Sequence, residues 1–415
     1  MAKVRPFRGI IYNVSRVSAE DVLAPPYDII TPEFREALYM QSPYNIVRID
    51  FGRDETGDNE TENKYVRARR YLEAWMKEAV FIQSNKPSFY AYEMSYSIGG
   101  KRKSLIGFLG LVKLEELGKG SIYPHECTHA KPKQDRLDLI KSCEANTSPI
   151  FSLYKSAEKQ TANLLSKTAS TTPYLEAADV AGDVHRLWQI DQEEDIGVII
   201  KELADKSVFI ADGHHRYETA FEFYRETAGQ NPSGGKPFDH VLMFLANMLD
   251  EGVTILPTHR LLKTVPGDMD RLLSEYFHIE PVENDFNIAK RLSGRKDVFG
   301  FYKKGDRVWY MLTYKGGGNL SDIPDNLQDI DVMILHELIF KEMLHTTDIG
   351  YEMDIGRALD KIRNGQFDAG FFLNPTRVED VEKSALSSVR MPPKSTYFYP
   401  KLPTGLIINR LDGEL

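Results

Sequence analysis

Five consecutive residues carry the densest chemistry in this chain: Asp212, Gly213, His214, His215 and Arg216. They set one carboxylate, two imidazoles and a guanidinium around a single glycine. A guanidinium can grip a phosphate through two parallel hydrogen bonds, and glycine lets a ligand approach the backbone closely. Ser207 to Ala211 before the turn are mostly apolar and β-prone, and Tyr217 to Arg225 after it place Ala220, Phe221 and Tyr224 as a helical stripe. A strand that enters a helix through such a turn offers free N–H groups and the positive end of the helix dipole to an anion. The spacing predicts a turn in which Gly213, His215 and Arg216 hold phosphate while Asp212 and His214 act catalytically. Asp212 is also the candidate ligand for Mg²⁺, a cation that takes carboxylate oxygen together with phosphate and water. The plainer alternative is that Asp212 only caps the helix and the histidines lie on a polar surface.

Three other stretches bring reactive groups. Pro124-His125-Glu126-Cys127-Thr128-His129 matches the zinc-protease pattern by letter, but no third ligand follows and Pro132 breaks the segment. A loop that offers Glu126 as a second candidate base, assisted by His125, suits it better, with Lys131, Lys133 and Arg136 adding positive charge. An ordinary solvated helix start explains those basic residues equally well. Asn146-Thr147-Ser148-Pro149-Ile150 follows. Earlier, two prolines in Ala24-Pro25-Pro26-Tyr27-Asp28 hold Asp28 in a defined place, for a site or for a plain loop corner. Near the end, Lys394, Ser395 and Thr396 could hold phosphate oxygens, or form a basic loop before a closing strand.

The elements that must position these groups form an alternating pattern of strands and helices. Helices are predicted after the Thr31 cap, over Tyr65 to Glu78, Glu158 to Lys167 and Asp195 to Ala204, and again over Val332 to Leu344 and Asp354 to Asn364. Strands are predicted over Ser88 to Tyr96, Arg102 to Leu114, His185 to Ile190, Asp239 to Met248 and Asp368 to Leu373, with a hairpin from Val298 to Tyr314. Ser42 to Phe51 reads as a turn into a strand. Ala228 to Gly235 reads as a lid or a connector. The texture changes near Thr264, which predicts a phosphate-binding catalytic domain over 1–263 and a smaller α/β part over 264–415, with 391–401 returning to the site.

Composition narrows the class. The 415 residues carry a formal net charge of −9, which argues against a general nucleic-acid surface. Two cysteines suit a reducing compartment, and no apolar run approaches the roughly 18 residues of a membrane span. A cytoplasmic protein with small-molecule partners, and neither membrane nor nucleic acid among them, is the expectation; the oligomeric state is left open. No G-x-x-x-x-G-K-[ST] loop is present, so a P-loop kinase is excluded.

Ala24-Pro-Pro-Tyr-Asp28, His125-Glu126, Asn146-x-x-Pro149-Ile150, Ala211-Asp-Gly-His-His-Arg216 and Pro393-Lys-Ser-Thr396 together resemble a full-length bacterial and archaeal family carried under a domain-of-unknown-function label. Asp212 to Arg216 are also similar to the phosphate-binding turn of the ParB/sulfiredoxin superfamily, which includes free-serine kinases. That resemblance implies an α+β fold with a mixed β-sheet core of ParB/sulfiredoxin-like type and large insertions. The chain lacks the partition proteins' helix-turn-helix, and His214 stands where the reductase motif has its cysteine, so the kinase branch is favoured. The implied activity is transfer of a phosphoryl group from pyrophosphate, polyphosphate, ADP or ATP to a small hydroxyl acceptor, free serine above others. A phosphate- or nucleotide-binding regulator without turnover, and a phosphoester hydrolase, are the alternatives.

Overall fold

The computed structural model describes residues 2–126, 130–228, 237–283, 287–387 and 389–412. His129, with Cys127 and Thr128 of the zinc-protease pattern, lies outside them, as do most of the loop read as a lid or connector and the side chain of Lys131. The fold is α+β with a mixed sheet. The chain folds as two compact units: Met1–Pro124, Thr128–Val253 and Pro400–Leu415 form the first, His125–Cys127 and Thr254–Tyr399 the second.

In the first unit the described residues form a nine-stranded sheet. Its spatial order is Ile122–Tyr123, Val208–Asp212, Ile150–Tyr154, His240–Asn247, Lys101–Lys113, Phe89–Ile98, Val184–Ile190 and Leu175–Ala178, with Val4–Arg5 paired onto Lys101–Lys113. Val208–Asp212 runs parallel to Ile122–Tyr123 and antiparallel to Ile150–Tyr154. His240–Asn247 runs parallel to Ile150–Tyr154 and antiparallel to Lys101–Lys113. These central strands are nearly continuous apolar runs because both faces are covered. Phe108, Ile150, Ile210, Tyr217, Met243 and Leu245 belong to one buried core; a second gathers Tyr12, Leu72, Trp75, Phe81 and Leu139. The segment after Pro400 is stitched into the same unit: Thr404 bridges Ala24, Ile408 bridges Ile10, and Asn409 and Arg410 pair with Asn146 and Ala145.

The second unit is built on a six-stranded antiparallel sheet ordered Phe277–Glu283, Val308–Tyr314, Val298–Lys303, Ala369–Phe372, His259–Leu262 and Ile349–Glu352. Its core contains Leu261, Trp309, Met311, Ile362 and Phe372.

Two expectations change. Ser42 to Phe51 is not a strand: Val47–Asp50 is a short helix, because the alternation ends at Asn45, whose side chain accepts from Val47 N at 3.0 Å and starts a turn. The helix expected over Val332 to Leu344 is wound as α only over Asp331–Ile334 and as π over Leu335–Met343. Extended π winding is rare and is found most often near functional or strained positions. No helix among the described residues is long and apolar enough to cross a membrane.

Candidate functional site

The turn begins in a strand irregularity. Val208, Phe209 and Ile210 pair in register with Tyr154, Leu153 and Ser152, but the register shifts before Asp212, which faces Phe151. A bulge of this kind re-aims the side chain that follows it. Gly213 then takes φ +98°, a region that L side chains rarely adopt. A Cβ there would also fall 2.9 Å from Nε of Arg216, so the glycine provides both the backbone bend and the space for the guanidinium. The helix His214–Ala228 starts at once, with Tyr217 N donating to Gly213 O at 3.0 Å. It is anchored by fully buried Tyr217, whose hydroxyl donates to Glu115 O at 2.7 Å.

Arg216 is the hub. Its Nη2 donates to Asp212 Oδ2 at 2.8 Å, and its Nη1 meets Ser148 Oγ at 3.4 Å and donates to Pro149 O. Lys401 Nζ reaches the other Asp212 oxygen at 2.6 Å. Asp212 therefore orders two cations, each with a side chain only 11 % exposed. Such charge-assisted bonds fix geometry more firmly than neutral ones. A Mg²⁺ ion held by Asp212 does not fit this donor set, since a cation already occupies each carboxylate oxygen. Among the described residues no group of three or more His, Cys, Asp or Glu could hold a metal.

Arg216 lines a small, partly open cavity of about 40 Å³, together with Asn146, Thr147, Ser148, Thr219, Arg136 and Asp50. Apolar walls come from Leu139, Ile140, Ile150 and Val241. Arg136 belongs to the helix Ala130–Cys143, which replaces the loop expected before it, and its guanidinium stacks on Tyr27 with 4.2 Å to the ring centroid. Burial lowers the Arg136 pKa, but Asp50 and Asp135 outweigh it and hold the group above its ordinary value. Burial raises Tyr27 to about 12 although Arg136 and Arg216 both pull it down, so one phenol feels both guanidiniums.

The structure thus gathers Asp212, Gly213, Arg216, Arg136 and Asn146 in the first unit. His214 is buried at the head of the helix and His215 half-buried. Asp28 is exposed on the short 3₁₀ turn Tyr27–Ile29 and adds to the field at Tyr27. His125 and Glu126 belong to the second unit. There His125 Nε2 lies 2.8 Å from Thr396 Oγ1, and Glu126 Oε1 accepts from Lys394 N at 2.9 Å. Lys394 is exposed at φ +59°, while Ser395 and Thr396 are buried. Sequence reasoning missed Lys401, Ser148, Thr147, Tyr27 and Asp50. The first four fall inside stretches already singled out; Asp50 stood between Ile49 and Phe51, where a lone acid in an apolar run was the available signal.

A family model described as "Protein of unknown function (DUF1015)" matches residues 4–334. No curated protein matches the chain. Among solved structures, a free serine kinase in complex with AMP aligns at TM-score 0.36 and 12 % identity, over 69 % of this chain and 92 % of that one. A conserved hypothetical protein from Pyrococcus furiosus aligns at 0.33 and 16 %, over 68 % and 90 %. SbnI with C-terminal truncation from Staphylococcus aureus aligns at 0.36 and 10 %, over 74 % and 84 %. TM-scores this far below 0.5 say nothing about what this chain binds.

Proposed function

The chain belongs to the DUF1015 family, whose description assigns no chemistry, and on the strength of its own residues we propose that it is a phosphotransferase acting on a small hydroxyl acceptor. The observation that carries this reading is Arg216, tied to Asp212 and Ser148, at the wall of a cavity beside a glycine turn and a helix N-terminus. Phosphoryl transfer asks a protein chiefly for positioning and for neutralisation of the phosphoryl oxygens. Arg216 would supply a guanidinium to those oxygens, and the first N–H groups of the following helix would add donors. Lys401 and Asp212 are positioning residues: they hold the guanidinium plane and the local charge. In the step itself the acceptor oxygen bonds to phosphorus, the bond to the donor's bridging oxygen breaks, and that oxygen leaves with the electron pair. The proton of the acceptor hydroxyl passes, directly or through water, to the departing donor oxygen, which leaves protonated. The donor is pyrophosphate, polyphosphate or a nucleotide, and the motif resemblance points to free serine as acceptor.

A second reading has one observation in its favour. Both Asp212 oxygens are occupied by cations, an arrangement suited to holding an anion without turnover. One experiment separates the two. The protein is incubated with Mg²⁺, a panel of phosphate donors and small hydroxyl compounds including free amino acids, and products are read by mass spectrometry. Transfer predicts a phosphorylated acceptor that disappears in Arg216→Ala and Asp212→Ala while both variants stay folded. Donor binding without product supports the sensor, phosphate release without an acceptor supports a hydrolase, and undiminished product in both variants removes the site assignment.

A further inference from the structure

Two charged groups in the cavity wall are left unused by the phosphate chemistry. Asp50 and Arg136, 3 % and 6 % exposed, both line it. Arg136 spends Nε and Nη2 on Asp135 Oδ2, at 3.0 and 2.6 Å, and its flat face on Tyr27. Its remaining nitrogen, Nη1, meets Asp50 Oδ2 at 3.4 Å, an ion pair long for a charge-assisted hydrogen bond. Asp50 Oδ1 is fixed by Thr147 Oγ1 at 2.7 Å. Lys64 approaches Asp135 at 3.1 Å and Asp54 at 3.4 Å, so Asp135 is shared between Arg136 and Lys64. The side chains are immobilised, yet the two facing atoms of opposite charge hold each other only loosely.

We propose that Asp50 and Arg136 form a head-group subsite that selects an acceptor bearing an ammonium and a carboxylate on one carbon, the hallmark of an α-amino acid. This rests on the reading of the cavity as the acceptor's site and extends it to residues that nothing else assigns. An ammonium on Asp50 Oδ2 and a carboxylate on Arg136 Nη1 would complete a square of alternating charge. A neutral zwitterion leaves the local balance unchanged. A ligand with only one of the two charges leaves a nearly buried partner uncompensated, and that is costly in a water-poor wall. A buried ion pair is weak evidence for stability, whereas selection between ligands gives such a pair a use. Asp50 and Arg136 are thus specificity residues in the wall that Arg216 also lines.

The test is calorimetric titration of the full chain with three probes of similar size: serine, ethanolamine, which lacks the carboxylate, and glycerate, which lacks the ammonium. Pyrophosphate is titrated in parallel. Serine should bind at least about 30-fold more tightly than either single-charge analogue. Asp50→Asn should erase the preference for serine over glycerate, and Arg136→Gln the preference over ethanolamine. Because either variant could lose its fold, the parent protein decides by itself. Glycerate or ethanolamine binding as well as serine, or no binding by any of the three, overturns the subsite. Serine selection without pyrophosphate binding leaves the subsite standing and removes the phosphotransfer reading instead.

Discussion

Arg216, half-buried in the first turn of a helix of the first unit, and Arg260, buried in a strand of the second, are handled in opposite ways. Arg216 has a carboxylate, a hydroxyl and a backbone carbonyl as partners, and it lines a cavity. Arg260 is sealed at 0 % exposure: it donates to the backbone carbonyls of Thr258 and Lys394, and its Nε has no hydrogen-bond partner among the described residues. Burial lowers its pKa to about 10, partly resisted by Tyr351 and Glu126. A neutralised guanidinium beside open space can take up an anion. A sealed one organises backbone, here the segment whose Lys394 N donates to Glu126.

The largest contrast should come from deleting the sealed group. Arg260→Ala should destabilise the protein by about 2–5 kcal/mol, through a cavity and two carbonyls left unpaired. Arg260→Met, similar in volume and uncharged, should recover most of that loss, since apolar replacements of buried charges are often tolerated. Denaturant titrations of both variants check this. Equal damage from Met and Ala would mean that the charge itself matters and the contrast with Arg216 fails.

Acid should expose the same sealed region. Burial first, then Arg260, depresses His259 and His336 to about 4. Between pH 6.5 and about 4 the unfolded chain takes up two protons that the folded chain refuses, so stability is lost as pH falls through that window, by at most about 3 kcal/mol per histidine. Asp331 works the other way. Burial, with Asp297 and Asp380, raises it to about 6, so the folded chain binds an extra proton below that pH and loses stability as pH rises from about 4 to 6. Asp331→Asn should therefore raise the melting temperature at pH 7 and steepen the acid decline. A flat profile in the parent protein would contradict both assignments.

On the open side the readout is ligand rather than stability. Arg216→Met should leave the melting temperature within a few degrees of the parent while weakening pyrophosphate binding by about 100-fold, the scale of a lost charge-assisted clamp. Gly213→Ala should cost about 1–2 kcal/mol, because φ +98° and the contact with Arg216 both oppose a Cβ. Lys401→Gln should be the mildest change, about tenfold in anion affinity with little loss of stability, since Asp212 keeps Arg216. Calorimetry on the last three ranks them directly.

The strand and helix on either side of Asp212 were legible because a short apolar, β-prone run gives way to a helical stripe, and a glycine marks the change. Central strands such as Lys101–Lys113 and His240–Asn247 were legible as apolar runs. The Val47–Asp50 helix was not: Ile46, Val47 and Ile49 are β-branched, and tertiary packing in the second core of the first unit overrides their local preference. Arg136 and Asn146 were visible as residue types, but not their meeting across one cavity with Asp50. That depends on helix Ala130–Cys143 packing beside His214–Ala228, where Lys133 pairs with Glu218. Glu126 and Asp212 were legible as candidate bases from residue type; they belong to different compact units.

The return of the chain after Pro400 has a consequence for how the protein is made. Lys401 reaches Asp212 across 189 positions of sequence, and Ile408, Asn409 and Arg410 add their pairings to the same unit. A ribosome therefore has to release the whole intervening unit before the Asp212 turn receives its second cation. Until that moment a nascent chain carries Asp212 and Arg216 without Lys401, so the turn gains its second cation only after the second unit has been made.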